Sequence, residues 1–170
     1  MEFLHREKAG RDREVLEYIA AAKEHLEETK PKQWCTAPVL NAMFSAYFKK
    51  AQQNNIQVEA HLSFPEKLPV DEAGLSLVLA NALENAIHAC KQLPEEQRRI
   101  VCRAIHYPRL MIEVVNSCNA PVALDQDGFP TSAQEGHGVG MQSIRSFCQW
   151  YRATCSCRYR QGQFCLQIAF

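Results

Sequence analysis

The chain has 170 residues, 46% of them hydrophobic, and 19 Lys+Arg balance 19 Asp+Glu for a formal net charge of zero. That length suits one ordinary domain plus a short appendage, and the apolar share is enough to build a core. The balanced charge excludes a general attraction to nucleic acid or to an anionic membrane, and no run of about 18 apolar residues is present to span a bilayer, so any bound anion must be held by local geometry.

The opening stretch MEFLHREKAGRDRE is charged, has no apolar centre and does not read as a secretory signal. The pattern then predicts a helix over 11–29, where Val15, Ile19, Ala22 and Leu26 recur at a/d positions until Pro31 stops it. Two heptads fit either a coiled-coil seam or a helix docked on its own domain. In APVLNAMFSAYFKKAQQNN, Pro38 suits a first helical turn, and Val39, Leu40, Met43, Phe44, Tyr47 and Phe48 form one apolar stripe. Lys49, Lys50, Gln52 and Gln53 gather near its end, and Asn54-Asn55 is a plausible stop. Val58, Ala60, Leu62 and Phe64 alternate, the mark of a half-buried strand, before a loop with Pro65 and Pro69.

A long central helix is expected over 71–92, capped by Asp71 and closed by Pro94. Ile100, Cys102 and Ala104 alternate in one strand and Leu110–Val115 forms the next, with Tyr107-Pro108-Arg109 as the turn. Residues 117–137 have no period and contain Pro121, Gly128, Pro130 and Gly136, and a loop that long is usually functional or mobile. A third helix is expected from about Gly140 to Tyr151, then a hairpin of Thr154–Arg160 and Phe164–Phe170 turned at Gln161-Gly162. This order predicts an α+β fold with helices on one face of a mostly antiparallel sheet, not a doubly wound one. The eight cysteines fall mostly in apolar patterns and read as buried reduced thiols of a cytoplasmic protein. Cys155 and Cys157 share one strand face, but no second Cys/His pair stands at zinc-ligand spacing.

Three motifs carry chemistry. In LSLVLANALENAIHAC the polar Asn81, Glu84, Asn85 and His88 stand at i, i+3, i+4 and i+7, on one face of an otherwise apolar helix. Each polar group would cost about 1–3 kcal/mol if buried unpaired, so the stripe must face water or a polar ligand. It can be simply the wet side of the helix, although two asparagines are less expected there than Glu, Lys or Gln. An amide oxygen can hold magnesium while leaving the site less negative than a carboxylate would; Glu84 can act as a base, and His88 can reach a phosphate. Gly136-His137-Gly138-Val139-Gly140-Met141 opens the third helix, whose unpaired N–H groups form a ready anion site. It fits neither the dinucleotide fingerprint nor a P-loop, and a flexible turn before the helix is the plain alternative. Asn116, at the end of a strand, can accept from an exocyclic amine and donate to a ring nitrogen, as an adenine edge requires, though alone it reads as a strand-end turn residue.

Taken together, NALENA, VVNS and GHGVGM resemble the N, G1 and G2 boxes of the GHKL ATPases, in the histidine-kinase branch and its peptide-pheromone-sensor subgroup. The resemblance spans residues 13–170. It implies a Bergerat fold, a two-layer α/β sandwich with a mixed, mostly antiparallel sheet, preceded by a helix from the dimerisation region. Residues 1–30 would be the remnant of the dimerisation and phosphoacceptor region, and 31–170 the catalytic ATP-binding domain. ATP and Mg2+ would be the cofactors. Asn85 would bind the metal, Asn81 would line the phosphate site, Glu84 would assist phosphoryl transfer, and Asn116 would bind adenine. His88, which can reach a phosphate by its place on the stripe, is counted with the nucleotide contacts, although a lone histidine is more often a surface residue. Gly136, His137, Gly138, Val139, Gly140 and Met141 would contact the nucleotide, and Cys118–Glu135 would be the ATP lid.

The implied activity is transfer of the γ-phosphoryl group of ATP to a histidine and thence to a response regulator, in a homodimer joined by the N-terminal helices. The setting would be the cytoplasmic part of a membrane-anchored sensor, with no membrane contact in this chain. An anti-sigma-type serine kinase and a non-catalytic interaction module are the alternatives. Two features depart from the family pattern. The G1 box has Asn116-Ser-Cys-Asn-Ala where the family has Asp followed by glycines. His5, the one candidate acceptor, stands too near the predicted turn at Gly10-Arg11-Asp12, so the acceptor is expected upstream of this chain.

Overall fold

Helix α1 (Pro38–Gln53) buries Leu40, Phe44, Phe48 and Ala51, the inner edge of its apolar stripe. The computed structural model describes residues 32–119, 121, 123–130 and 138–170. The helix expected over 11–29, its a/d seam, His5, Gly136 and His137 lie outside the described residues. Ala37 offers α1 no side-chain cap. The carboxylate of Glu72 does this work from another helix, accepting from the backbone N–H of Val39 at 2.7 Å and of Leu40 at 3.1 Å.

Strand β1 (Gln57–Leu62) leads into α2 (Glu72–Lys91). The side chain of Asp71 caps α2 by accepting from the Gly74 N–H at 2.7 Å. Leu75, Val78, Leu79, Ala82, Leu83, Ala86, Ile87 and Cys90 are buried along it. After a 3-10 turn at Glu95–Gln97 come β2 (Arg99–Ile105) and β3 (Met111–Ser117), then α3 (Gly138–Tyr151), β4 (Thr154–Arg160) and β5 (Gln163–Ala169). The β4–β5 turn has Gln161 at φ 50° and Gly162 at φ 75°. Two consecutive positive values match the twist of the flanking strands, and the glycine meets that demand without a Cβ penalty.

The five strands lie in the order β1-β2-β3-β5-β4. β1 and β2 are parallel and all other pairs antiparallel. The sheet is thus mixed and mostly antiparallel, as expected, and α2 is the crossover of its single parallel pair. Asn116 of β3 faces Ile100 of β2 and Phe164 of β5; Val114 faces Cys102 and Leu166; Ile112 faces Ala104 and Ile168. These rows form the buried face of the sheet, on which the helices pack around Phe44, Leu75, Leu79, Leu83 and Ile144. Each such side chain contributes about 1.5–3 kcal/mol by leaving water.

α1 runs parallel to α2, with Glu72 at the start of one helix bonded to the start of the other and Lys50 near the end of α1 bonded to Glu84. α3 runs antiparallel to α2: Gly140 meets Asn81, while Phe147 lies against Gly74. The result is the expected two-layer sandwich. Element ends differ slightly from the pattern-based reading. β1 stops at Leu62, short of Phe64, because β2 ends at Ile105 and leaves no partner beyond the Ser63 N–H bond to Ala104. α3 begins at Gly138 and so includes two glycines that propensity would keep out of a helix. All eight cysteines are free thiols and none is exposed.

Candidate nucleotide site

The stripe on α2 divides between its two neighbours. At about 100° per residue, Glu84 and Asn85 point to opposite edges of the stripe, with Asn81 and His88 between them. Glu84 turns to α1, where Lys50 Nζ donates to both its carboxylate oxygens, at 2.8 and 2.6 Å. The pair is about half exposed, so it orients the carboxylate more than it stabilises the fold. Asn85 and Asn81 turn to α3. A Cβ placed on Gly140 would lie 3.6 Å from Asn81 Cβ and 3.7 Å from Asn85 Nδ2. These are ordinary contact distances, so the first turn of α3 packs closely against the two amides at Gly140. Asn81 and Asn85 are half-buried and His88 is exposed.

Asn116 lies on the helix-facing side of β3 and is only 4% exposed. It is not a strand-end turn residue, because β3 continues through Ser117. Its Nδ2 donates to the Ser117 carbonyl at 3.0 Å. One amide hydrogen and the amide oxygen remain for a ligand. The far end of α2 covers this corner, where the Cys90 thiol donates to the carbonyls of Arg99 (3.4 Å) and Ser117 (3.6 Å). Burial pushes the Cys90 thiol pKa up and keeps it protonated.

The third wall is the start of α3, with Gly138, Val139 and Gly140 in its first turn and no acidic residue there to occupy its N–H groups. Met141 is half-buried and packs against the core cluster, so its side chain holds α3 down whatever its backbone binds. The loop from Cys118 leaves the site by a bond from the Cys118 N–H to the Gly162 carbonyl, 2.9 Å. Within it Asp125 builds a tight turn: its Oδ1 accepts from the N–H groups of Asp127 and Phe129, both at 2.9 Å. Those bonds, first the one from Phe129, hold the Asp125 carboxyl below its ordinary range.

Pattern reading singled out these three elements but missed Lys50 as the partner of Glu84, since nothing local links residues 34 apart in sequence. It also missed the turn at Asp125, although Asp127-Gly128 carries a turn signature. A separate cavity of about 550 Å³ opens beside Pro38, Leu68, Val70 and Glu72. It lies about 20 Å along the α2 axis from Asn85, apart from the three walls. No cluster of His, Cys, Asp and Glu suited to a metal occurs among the described residues. A metal here would depend on amide oxygens and on its ligand's own oxygens.

The sequence model of the GHKL domain matches residues 71–170. No curated protein matches the chain. Solved structures do. The catalytic domain of histidine kinase ThkA, nucleotide-free, is 17% identical over 79% of this chain and 91% of its own, with a TM-score of 0.62. A mycobacterial sensor histidine kinase, MprB, is 18% identical over 78% of this chain and 93% of its own, TM-score 0.59. The cytoplasmic segment of histidine kinase QseC is 13% identical over 94% of this chain and 92% of its own, TM-score 0.51. At these identities the likeness is one of fold.

Proposed function

The chain belongs to the GHKL domain family, and on that premise we propose that it binds ATP with magnesium as the catalytic domain of a two-component sensor histidine kinase. The observation that carries this is the close approach of the start of α3, at Gly140, to two half-buried asparagine amides of α2; the buried Asn116 on the helix-facing side of the sheet supports it. The donor set suits magnesium, which takes oxygen ligands, keeps several waters and shares phosphate oxygens with a nucleotide. Asn85 would hold the ion through its amide oxygen, with Asn81 beside it on the phosphates. When bound, magnesium would neutralise charge on the phosphates.

The chain's own groups then position the reactants. Asn116 accepts from the adenine amine. The first turn of α3 receives phosphate oxygens on its N–H groups. Glu84, oriented by Lys50, is the candidate base toward the attacking group. We assign residues 31–170 to the catalytic domain and 1–30 to the end of the dimerisation region. The phosphoryl group would pass to a histidine upstream of this chain, then to a response regulator, in a homodimer on the cytoplasmic side of a membrane-anchored sensor.

The test is calorimetric titration with ATP and ADP, with and without magnesium. Magnesium-dependent binding is expected, and Asn85→Ala should weaken it at least about tenfold, the loss of one charge-assisted contact. No heat of binding at millimolar nucleotide would reject the nucleotide reading and favour a non-catalytic interaction module.

A further inference from the structure

Arg145, on the side of α3 away from its partner α2, has no place in the motifs that define the family. Its Nη2 donates to Asp125 Oδ2 at 3.0 Å and to Asp127 Oδ2 at 2.7 Å. Its guanidinium also lies 4.5 Å from the centre of the Phe129 ring. One side chain therefore grips three residues of a single turn. That turn is rigid by itself: Asp125 Oδ1 accepts two backbone N–H groups, the Asp125 N–H donates to the Phe129 carbonyl at 2.7 Å, and Leu124 bridges to Pro130. A planar, forked cation that also stacks on a ring suits this task, whereas a lysine offers only a point charge.

The turn belongs to the chain that joins Asn116 on β3 to Gly138 on α3, the two sides of the proposed nucleotide site. From these contacts we propose that Arg145 is a positioning residue for nucleotide binding, strapping this connection to the helix whose first turn faces the phosphates. The proposal rests on the nucleotide reading above. Its physical content is a cross-link: two charge-assisted hydrogen bonds and a ring contact tie the turn at 125–129 to the middle of α3. A residue that acts on a site through such contacts, without touching the ligand, changes affinity by at least about twofold when it is removed.

The experiment titrates the full chain with ATP and magnesium and, in parallel, follows amide hydrogen exchange at Asp127 and Phe129. Arg145→Ala should weaken nucleotide binding at least about twofold, keep its magnesium dependence, and speed exchange at both amides. Arg145→Lys should recover part of each. A role in folding alone would lower the melting temperature but leave the affinity of the folded protein unchanged, and that result would overturn the proposal. Should Arg145→Ala fail to fold, Asp127→Asn carries the test, since that carboxylate is 76% exposed; unchanged affinity there also overturns it. If the wild-type chain binds no nucleotide, the nucleotide reading falls and takes the strap's role with it. Wild-type binding with an indifferent Arg145→Ala rejects the strap alone.

Discussion

At Asn116 an uncharged amide sits in a buried corner where the family pattern has a carboxylate. The structure supplies a local reason for the amide: its Nδ2 donates to the Ser117 carbonyl. A carboxylate there would face that carbonyl acceptor to acceptor, in a position that is 4% exposed. Asn116→Asp should therefore lower the stability of the nucleotide-free chain by about 1–3 kcal/mol at neutral pH, read as a drop in melting temperature. The same change should tighten nucleotide binding, because a charged acceptor holds the adenine amine more strongly than an amide does. An unchanged melting temperature would contradict this account of the corner.

Among the elements, α1 is unusual in borrowing its cap. The Ala37 side chain has no acceptor for the N–H groups of the first turn, and Glu72 reaches across from α2 to accept two. The same carboxylate stands in the first turn of its own helix, where negative charge is also favourable. Glu72→Ala should cost about 1 kcal/mol, measured as a shift in denaturant midpoint with unchanged slope. A change within experimental error would mean that solvent replaces the cap. The two glycines within α3 show the opposite balance. Local propensity argues against a helix there, but Ile144 and Cys148 are buried beneath it, and that burial outweighs the penalty of about 1 kcal/mol per glycine.

For the molecule as a whole, the described helices cover one face of the sheet, and the thiols are sheltered by the packing. Cys90, Cys102, Cys118, Cys148 and Cys157 are buried, and Cys35, Cys155 and Cys165 are half-buried. Burial pushes the Cys102 thiol up to about 12. Burial and the nearby Glu113 carboxylate raise Cys165 to about 11. At pH 8 these thiols stay protonated, and the thiolate is the reactive form. The hydrogen bond from Cys155 lowers the Cys157 thiol instead, but Cys157 is buried, so the folded chain should react slowly with a thiol-specific reagent and all eight should react after unfolding. Rapid labelling of several cysteines under native conditions would contradict the packing described.

Periodicity was a sufficient guide wherever one face of an element meets the core. Hydrophobic burial depends on side-chain spacing alone, so α1, α2, β2, β3 and the terminal hairpin were readable to within a few residues. The polar stripe on α2 and the glycines at the start of α3 were legible for the same reason, as breaks in an apolar or helical pattern. Contacts between residues far apart in the chain carry no such signal. That Glu84 would pair with Lys50, that Glu72 would cap α1, that Arg145 would grip the turn at Asp125, and that β5 would insert between β3 and β4 all depend on which surfaces meet once the helices pack on the sheet. These pairings form only when the core brings their backbones together, because the entropy of ordering two distant side chains is not repaid until then.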